Sequence, residues 1–583
     1  MKIKIILLLF FFSLYPLWQT AATYTVDNNA ADTDDRNYSA GNLTLREAVN
    51  LSNASSGVAD IINFNLGSAG PYTITLSSAL TLSDASGVYI NGFSNPNAAT
   101  NPVAVFDATA GNPLNPTHKI ILANSGAATN CFNVTGNNNT IRGVVITGFG
   151  VPGVSTDEIG INITGNSNSV LGCYIGMNAN GTTYGNNMAV GIQISGSSNA
   201  IGDGTAAGAN LISGTIGGSS DYYAGINISA GTSNTIKGNM IGLQKDGETM
   251  VTSSNQVIGI DIYGTATSNI VGGTNAGDGN VISGNGQQGG SPSGTGVYIY
   301  SSTAGSNSVF GNRIGTKANG TAVVASNVQA DGITIGDAPS NVIGGVGSRG
   351  NIISGNTNNG INIYGGNASG NLIKGNYIGP KADGTSITGS SQDYGIYIAS
   401  NADNNFIGGY AGAAGTNPEG NVIAHNTVNG IYITGAGCSG NLISRNLIYT
   451  NSGQGIELNG TGNGNKTAPA ITLYTGTRVF GTGTTGDTIE VFSQNTGLCE
   501  DAQGYIGSAI VAAGTWSVTG NSSTGITATA RTLANNNTSE FSSTCNVSLP
   551  IELLSFTATL INNAQVRLDW VTATEINNNY FTI

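Results

Sequence analysis

One short phrase, a glycine followed by an apolar residue, a variable residue and a second apolar residue, returns ten times between Gly160 and Gly455. It reads GINI at Gly160, GIQI at Gly191, GINI at Gly225, GIDI at Gly259, GVYI at Gly296, GITI at Gly332, GINI at Gly360, GIYI at Gly395, GIYI at Gly430 and GIEL at Gly455. The copies span 295 residues, a mean period of 33, and CFNV at Cys131 is a degenerate eleventh. A period of this length marks units that bury their apolar surface by stacking on one another. In an extended strand successive side chains alternate between faces, so the two apolar residues of each copy share one side and the variable residue takes the other.

Two further apolar phrases lie between successive copies. One is seen in NTIKGN from Asn234, NSVFGN from Asn307 and NLIKGN from Asn371; the other alternates between IGLQKDGET-like loops and NVISGN. Each period therefore holds three strands, and a longer repeat near 70 residues emerges in the KANGT and KADGT phrases at Lys317 and Lys381. Short strands, no helical periodicity and corners rich in Gly and Asn (88 and 74 residues) predict an all-β fold. Specifically, they predict a right-handed parallel β-helix with three strands per rung, its isoleucines filling the lumen and its asparagines stacked at the corners. A β-propeller would need four strands in about 40–45 residues, so it is the second choice. Cys173 stands where later rungs carry Asn239, Asn312, Asn376 and Asn446, which reads as a structural thiol.

The chain is 39% hydrophobic and 8% charged, a balance that excludes disorder, which goes with high charge and few apolar residues. Its net charge of −13 and dispersed basic residues leave no footprint for nucleic acid. At the N-terminus, Lys2 and Lys4 precede an apolar run from Ile5 to Leu14 and small residues at Thr20–Ala22. This is the layout of a secretory signal, too short for the roughly 20 apolar residues of a membrane span. No later segment is long and apolar enough to cross a bilayer. Export permits a disulfide, and Cys499 and Cys545 are the candidates because they fall in one small domain. Cys131, Cys173 and Cys438 read as buried small residues.

Both ends depart from the repeat. NLTLREAVNLSN, from Asn42, is a short helix with Thr44 and Glu47 in a capping box. With IINFNL and YTITLSSALTL it resembles the SLREA-type N-terminal cap of secreted bacterial parallel β-helix proteins of the pectate-lyase-like superfamily, here with Thr for the usual Ser. The resemblance implies a fold and no single activity, since that superfamily includes lyases, hydrolases, epimerases, adhesins and tailspikes. After the last rung, TRVFGTGTTGDTIEVFSQNTG and AGTWSVTG predict a small β-sandwich that looks like bacterial Ig-like modules. The final LPIELLSFTATLINNAQVRLDWVTATEINNNYFTI resembles the start of a C-terminal module of Bacteroidetes proteins exported by type IX secretion. The domain reading is a signal peptide at 1–22, a cap and first rungs at 23–125, and β-helix repeats at 126–465. The sandwich then occupies 466–548 and a truncated module 549–583.

Enzymes of this fold would show acid clusters for calcium, or NTD, DD, GHG and RIK phrases. NTD, GHG and RIK do not occur, and the one DD pair, Asp34–Asp35, lies ahead of the cap helix and away from the repeats, so no catalytic residue and no metal ligand is assigned. His425 sits in NVIAHN where its siblings carry Gly, the pattern of a corner variant. The KANGT, KADGT and QKDGET phrases are turns first, and structural calcium there stays an open, weaker reading.

The variable position is more informative. Along the repeat it is Asn162, Gln193, Asn227, Asp261, Tyr298, Thr334, Asn362, Tyr397, Tyr432 and Glu457; two residues further on stand Tyr263, Tyr300 and Tyr364. Tyr263 and Tyr300 should lie on adjacent rungs with stacked rings, as should Tyr397 and Tyr432. Aromatic scaffold packing is one reading. The other is a sugar platform of Asp261, Tyr263, Tyr298, Tyr300, Asn362, Tyr364, Tyr397 and Tyr432, in which flat rings meet pyranose faces and amides and acids meet hydroxyls. Asp261 and Glu457, about five rungs or roughly 25 Å apart, are too distant to act as a hydrolytic pair. The expectation is a monomeric protein, secreted or on the outer surface of a Gram-negative bacterium, that needs no cofactor. It would act in adhesion or in binding extracellular polysaccharide or cell-surface glycan. A polysaccharide lyase or glycoside hydrolase, and a structural stalk, stay open as alternatives.

Overall fold

The computed structural model describes residues 20–572 apart from 30–31, 56, 127, 150–157, 186–187, 216–222, 252–255, 287–293, 410–418, 495–498, 521, 523–524, 546–552 and 563–564. The leader read at 1–22 therefore lies almost wholly outside the described residues, as does the end of the chain from 573. Among the described residues no helix is long and apolar enough to cross a membrane.

Three parallel sheets of thirteen, twelve and twelve strands wind around one lumen, each strand pairing with its counterparts in the rungs before and after. This is the parallel β-helix that the period of the sequence demands. Along the strands of the glycine phrase, paired lumen residues are separated by as few as 25 residues (Ile431 and Ile456) and as many as 37 (Ile260 and Val297), so the loops absorb the length differences while the strands keep register. Ile161, Ile192, Ile226, Ile260, Val297, Ile333, Ile361 and Ile396 form one continuous lumen column, all without solvent exposure. Each such side chain contributes about 1.5–3 kcal/mol by leaving water.

Amides run the length of three corners. Asn210, Asn239, Asn280, Asn312, Asn351, Asn376 and Asn421 each pass a side-chain N–H to the next amide carbonyl at 2.8–3.0 Å, ending at Asn446. Cys173 sits at the foot of this ladder, its backbone N–H donating to Asn210 at 2.8 Å. Burial pushes its thiol up to about 11, so it is inert packing. A second ladder runs through Asn199, Asn234, Asn269 and Asn307. The third alternates the two amide residues, from Gln256 through Asn285, Gln329, Asn356, Gln392 and Asn426 to Asn451.

Both ends of the coil are closed. At the start, the helix Leu45–Ala54 opens with the capping box, Thr44 and Glu47 satisfying each other's backbone N–H, and lays Leu45, Ala48 and Val49 over the first rung. At the far end, two three-stranded antiparallel sheets form a sandwich around Val479, Val491, Trp516 and Ile526. Its edge docks on the last rung: Ala502 exchanges backbone hydrogen bonds with Ile448 at 2.6 and 2.8 Å, and Phe492, Tyr505 and Phe541 close the lumen. An uncovered rung would expose unpaired N–H and C=O groups, and the sandwich occupies them. Cys499 and Cys545 are joined by a disulfide. The hairpin Leu553–Asn562 and Gln565–Thr572 follows.

The longer repeat has a structural cause. Hairpin-like turns at 177–184, 243–250 and 316–323 leave one sheet on every second rung, each closed by an antiparallel bridge. Because Gly181, Gly247, Gly320 and Gly384 hold positive φ there, the turn reading of these phrases explains them. Asp246 and Asp383 accept backbone N–H groups two residues on. Among the described residues, no cluster of three or more His, Cys, Asp or Glu is placed to hold a metal.

Candidate functional site

The strands that begin each repeat form one twelve-stranded sheet, and its outward positions make straight columns. In the central column Asn227, Asp261, Tyr298, Thr334, Asn362, Tyr397, Tyr432 and Glu457 are register neighbours in that order. Beside it run Tyr263, Tyr300, Gly336, Tyr364 and Ala399. The structure thus brings all eight candidate residues onto one face. Asp261 and Glu457 are six rung steps apart, one more than the sequence reading, or about 29 Å at the strand spacing.

A third column, three residues before the central one, escapes the alternation rule. It holds Asp331, Asn359, Tyr394 and Asn429, whose side chains reach the central column. The repeat glycine is where the alternation shifts: a Cβ on Gly332 would lie 2.4 Å from lumen residue Ile353, so that position faces inward and the residue before it, Asp331, faces out. The sequence signal was present in the residue before the glycine phrase, which is Ile159, Val190, Ala224 and Ile258 in the first four copies and polar or aromatic in every copy from Gly296 on.

Two clusters result. In the first, the Tyr298 and Tyr364 hydroxyls are 2.6 Å apart although their strands are two rungs distant. Gly336 makes that reach available: a Cβ there would lie 2.7 Å from the Tyr364 ring and 3.0 Å from Tyr300. Tyr300 packs against Tyr298 with centroids 5.6 Å apart and is 44% exposed. Tyr263 is its register neighbour, as expected, but the two rings do not stack: the ring contact of Tyr300 is with Tyr298 on its own strand. Burial, followed by the bond to Tyr364, holds the Tyr298 phenol well above the usual range.

Asp261 lies beside this cluster, only 3% exposed, with one carboxyl oxygen lacking any partner. Burial pushes its pKa up to about 7. Asp331 is held differently: Asn359 (2.7 Å), Asn362 (3.0 Å), Thr334 (3.1 Å) and the Asn359 backbone N–H (3.2 Å) all donate to it.

In the second cluster Tyr397 and Tyr432 stack at 5.4 Å with planes 16° apart, and Tyr394, which sequence reasoning missed, closes on both at 5.4 and 5.2 Å. Such contacts contribute about 0.5–1.5 kcal/mol per pair. Glu457 follows on the next rung and accepts from Asn429 at 2.5 Å.

The two histidines lie off this face. His118 is buried against Phe93 and Tyr174, donates its Nε2–H to the Gly172 carbonyl at 2.8 Å, and has its pKa lowered by burial to about 4. His425 holds φ of 60° at a corner where its siblings Gly284 and Gly355 hold 74° and 77°, so it is the corner variant.

No family model matches the chain, and no curated protein matches it. It is similar in fold to solved structures. One is the enzymatically active domain of tailspike protein 2 of bacteriophage CBA120, with 14% identity over 85% of this chain and 73% of that one (TM-score 0.28). Another is the A-module of the Azotobacter vinelandii mannuronan C-5 epimerase AlgE6, with 14% identity over 75% and 94% (TM-score 0.29). A third is a tailspike protein of E. coli bacteriophage HK620 in complex with a pentasaccharide, with 13% identity over 86% and 89% (TM-score 0.28). No functional residue carries over at that level of likeness.

Proposed function

We propose that the outward columns of this sheet are a glycan-binding face, carried by a β-helix protein exported to the outer surface or surroundings of a Gram-negative bacterium. One observation carries the reading. Six tyrosines from five of six successive turns of the coil share a single face, four with ring-to-ring contacts, among amides and acids that match sugar hydroxyls. Scaffold packing alone would not need the phenols: Tyr300 leaves nearly half its surface in water. The leader-like N-terminus and the disulfide both fit an oxidising compartment outside the cytosol.

Binding, with adhesion as its use, is favoured over bond cleavage. Asp261 and Glu457 are far beyond the 5–9.5 Å at which two carboxylates hydrolyse a glycoside. A glycan array probed with the whole chain tests the reading. Replacing Tyr298, Tyr300 and Tyr263 by Ala should weaken binding at least tenfold while the β-sheet circular dichroism persists. Binding that is unchanged on a responsive array overturns the platform. Release of reducing ends or unsaturated uronates from a polysaccharide panel would establish the lyase or hydrolase alternative.

A further inference from the structure

The same face has an unusual balance of charge. Its twelve strands contain Asp261, Asp331 and Glu457 and not one lysine or arginine. The basic residues sit elsewhere: Lys237, Lys317 and Lys374 pair with Asp278, Glu248 and Glu419 on the loops of the other sheets. No lysine or arginine occurs between Lys381 and Arg445, the stretch that supplies the second tyrosine cluster. Asp331 and Glu457 are held by amides and a hydroxyl, which fill hydrogen bonds and leave the negative charge uncompensated.

A second observation points to what is missing. Asp261 Oδ1 and Asn359 Oδ1 are each buried, with 3% of the residue exposed, and neither has a hydrogen-bond partner. Both are acceptors. The Asn359 amide cannot be turned to relieve this, because its Nδ2 is committed to Asp331 at 2.7 Å. Buried acceptors without donors cost about 1–3 kcal/mol each, which a ligand bearing N–H groups would recover. Each acid also neighbours tyrosine rings, Asp261 beside Tyr298 and Glu457 beside Tyr432 in register. Faces of aromatic rings attract cations, and an adjacent carboxylate strengthens that attraction.

Building on the glycan reading above, we infer that the ligand is a sugar chain carrying free, protonated amino groups, which sit between the tyrosine rings and Asp261 at one end and Glu457 at the other. A polyuronate would meet Asp331 and Glu457 with no cation to answer it. A neutral chain would leave the charge unanswered.

The whole chain is titrated with three hexamers: β-1,4-linked glucosamine, its N-acetylated counterpart and an oligogalacturonate. The amine hexamer should bind at least tenfold tighter than either of the others. D261N/E457Q should abolish that preference, whereas D246N/D383N, which removes the same charge from exposed turns, should keep it. Equal affinity for the amine and N-acetylated hexamers overturns this inference and leaves the glycan face standing. So does equal loss in both double variants, which would reduce the effect to net charge. Failure of all three hexamers and of the wider glycan array to bind overturns both readings.

Discussion

Two outer faces of one coil have been put to opposite uses. On the sheet that carries the hairpin-like turns, the outward residues Val145, Tyr174, Leu211, Met240 and Val281 are apolar, and Val103, Val105, Leu114, Leu243 and Met250 lie over them as a second layer. On the tyrosine sheet the outward residues are Asp, Asn, Thr and Tyr, and from Tyr298 to Glu457 most are partly exposed. Strand, rung and lumen are the same in both. What differs is the residue at one position per rung, and with it whether the face is buried for stability or left for a partner.

The comparison breaks most visibly by truncating a tyrosine on each face. Tyr174 is fully buried and its hydroxyl donates to the Leu114 carbonyl at 3.2 Å. Tyr174→Ala should therefore cost about 5 kcal/mol, through lost burial, a cavity and an orphaned acceptor. Tyr432→Ala on the partly open face loses ring contacts with Tyr394 and Tyr397 and should cost about 1–2 kcal/mol. Denaturant melts of the two variants measure both. Similar losses would mean that the tyrosine sheet is as structural as the sealed one.

Next in size is a pH effect confined to the open face. Asp261 rises from 3.8 to about 7 through burial, so the folded chain holds a proton that the unfolded chain releases. Stability is then full below about pH 4 and is lost as pH climbs towards 7, by up to roughly 4 kcal/mol. Asp261→Asn mimics the protonated acid. The variant should match the parent at pH 4 and exceed it at pH 8, and a difference that ignores pH refutes the assignment.

How much of this could be read in advance depended on periodicity. The glycine phrase located the strands, assigned Val297 and Ile299 to the lumen and Tyr298 and Tyr300 to the outside, and aligned Tyr397 with Tyr432, because register follows directly from the repeat. Asp331 and Tyr394 were lost because strict alternation puts them on the wrong side, and the inward direction of the glycine after each, packed against Ile353 and Ile423, is a property of the folded coil. The Tyr298–Tyr364 contact was lost because it skips a rung across Gly336, where the sequence offers no side chain to notice. The burial of Asp261 likewise depends on surroundings that one strand does not report. The third amide ladder was hidden by its alternation of Gln with Asn.

Those ladders belong to the frame shared by both faces. Asn312→Ala removes the acceptor of the Asn280 side chain and backbone N–H, at 2.9 and 3.0 Å, and the donor to Asn351. It should cost about 2–3 kcal/mol through buried groups left unpaired. Its effect on glycan binding should be nil once the protein is folded, since the ladder lies away from the tyrosine columns. Loss of binding in folded protein would show that the two faces are coupled through the corners.

The smallest change in stability should carry the most information about the open face. Gly336 holds no positive φ, so alanine fits its backbone without strain, and what a methyl would meet is the far end of the Tyr364 ring at 2.7 Å and the edge of Tyr300 at 3.0 Å. Both side chains can swing away into solvent. Gly336→Ala should therefore change stability by less than about 1 kcal/mol, since surface adjustments of this kind rarely cost more. Yet it should separate the Tyr298 and Tyr364 hydroxyls, now 2.6 Å apart, and disperse the first aromatic cluster. If that cluster is a binding platform, affinity falls several-fold in a protein that melts like the parent. If the rings serve the scaffold, stability moves and binding does not, because a platform depends on where its rings are held and a packing contact on whether they are covered.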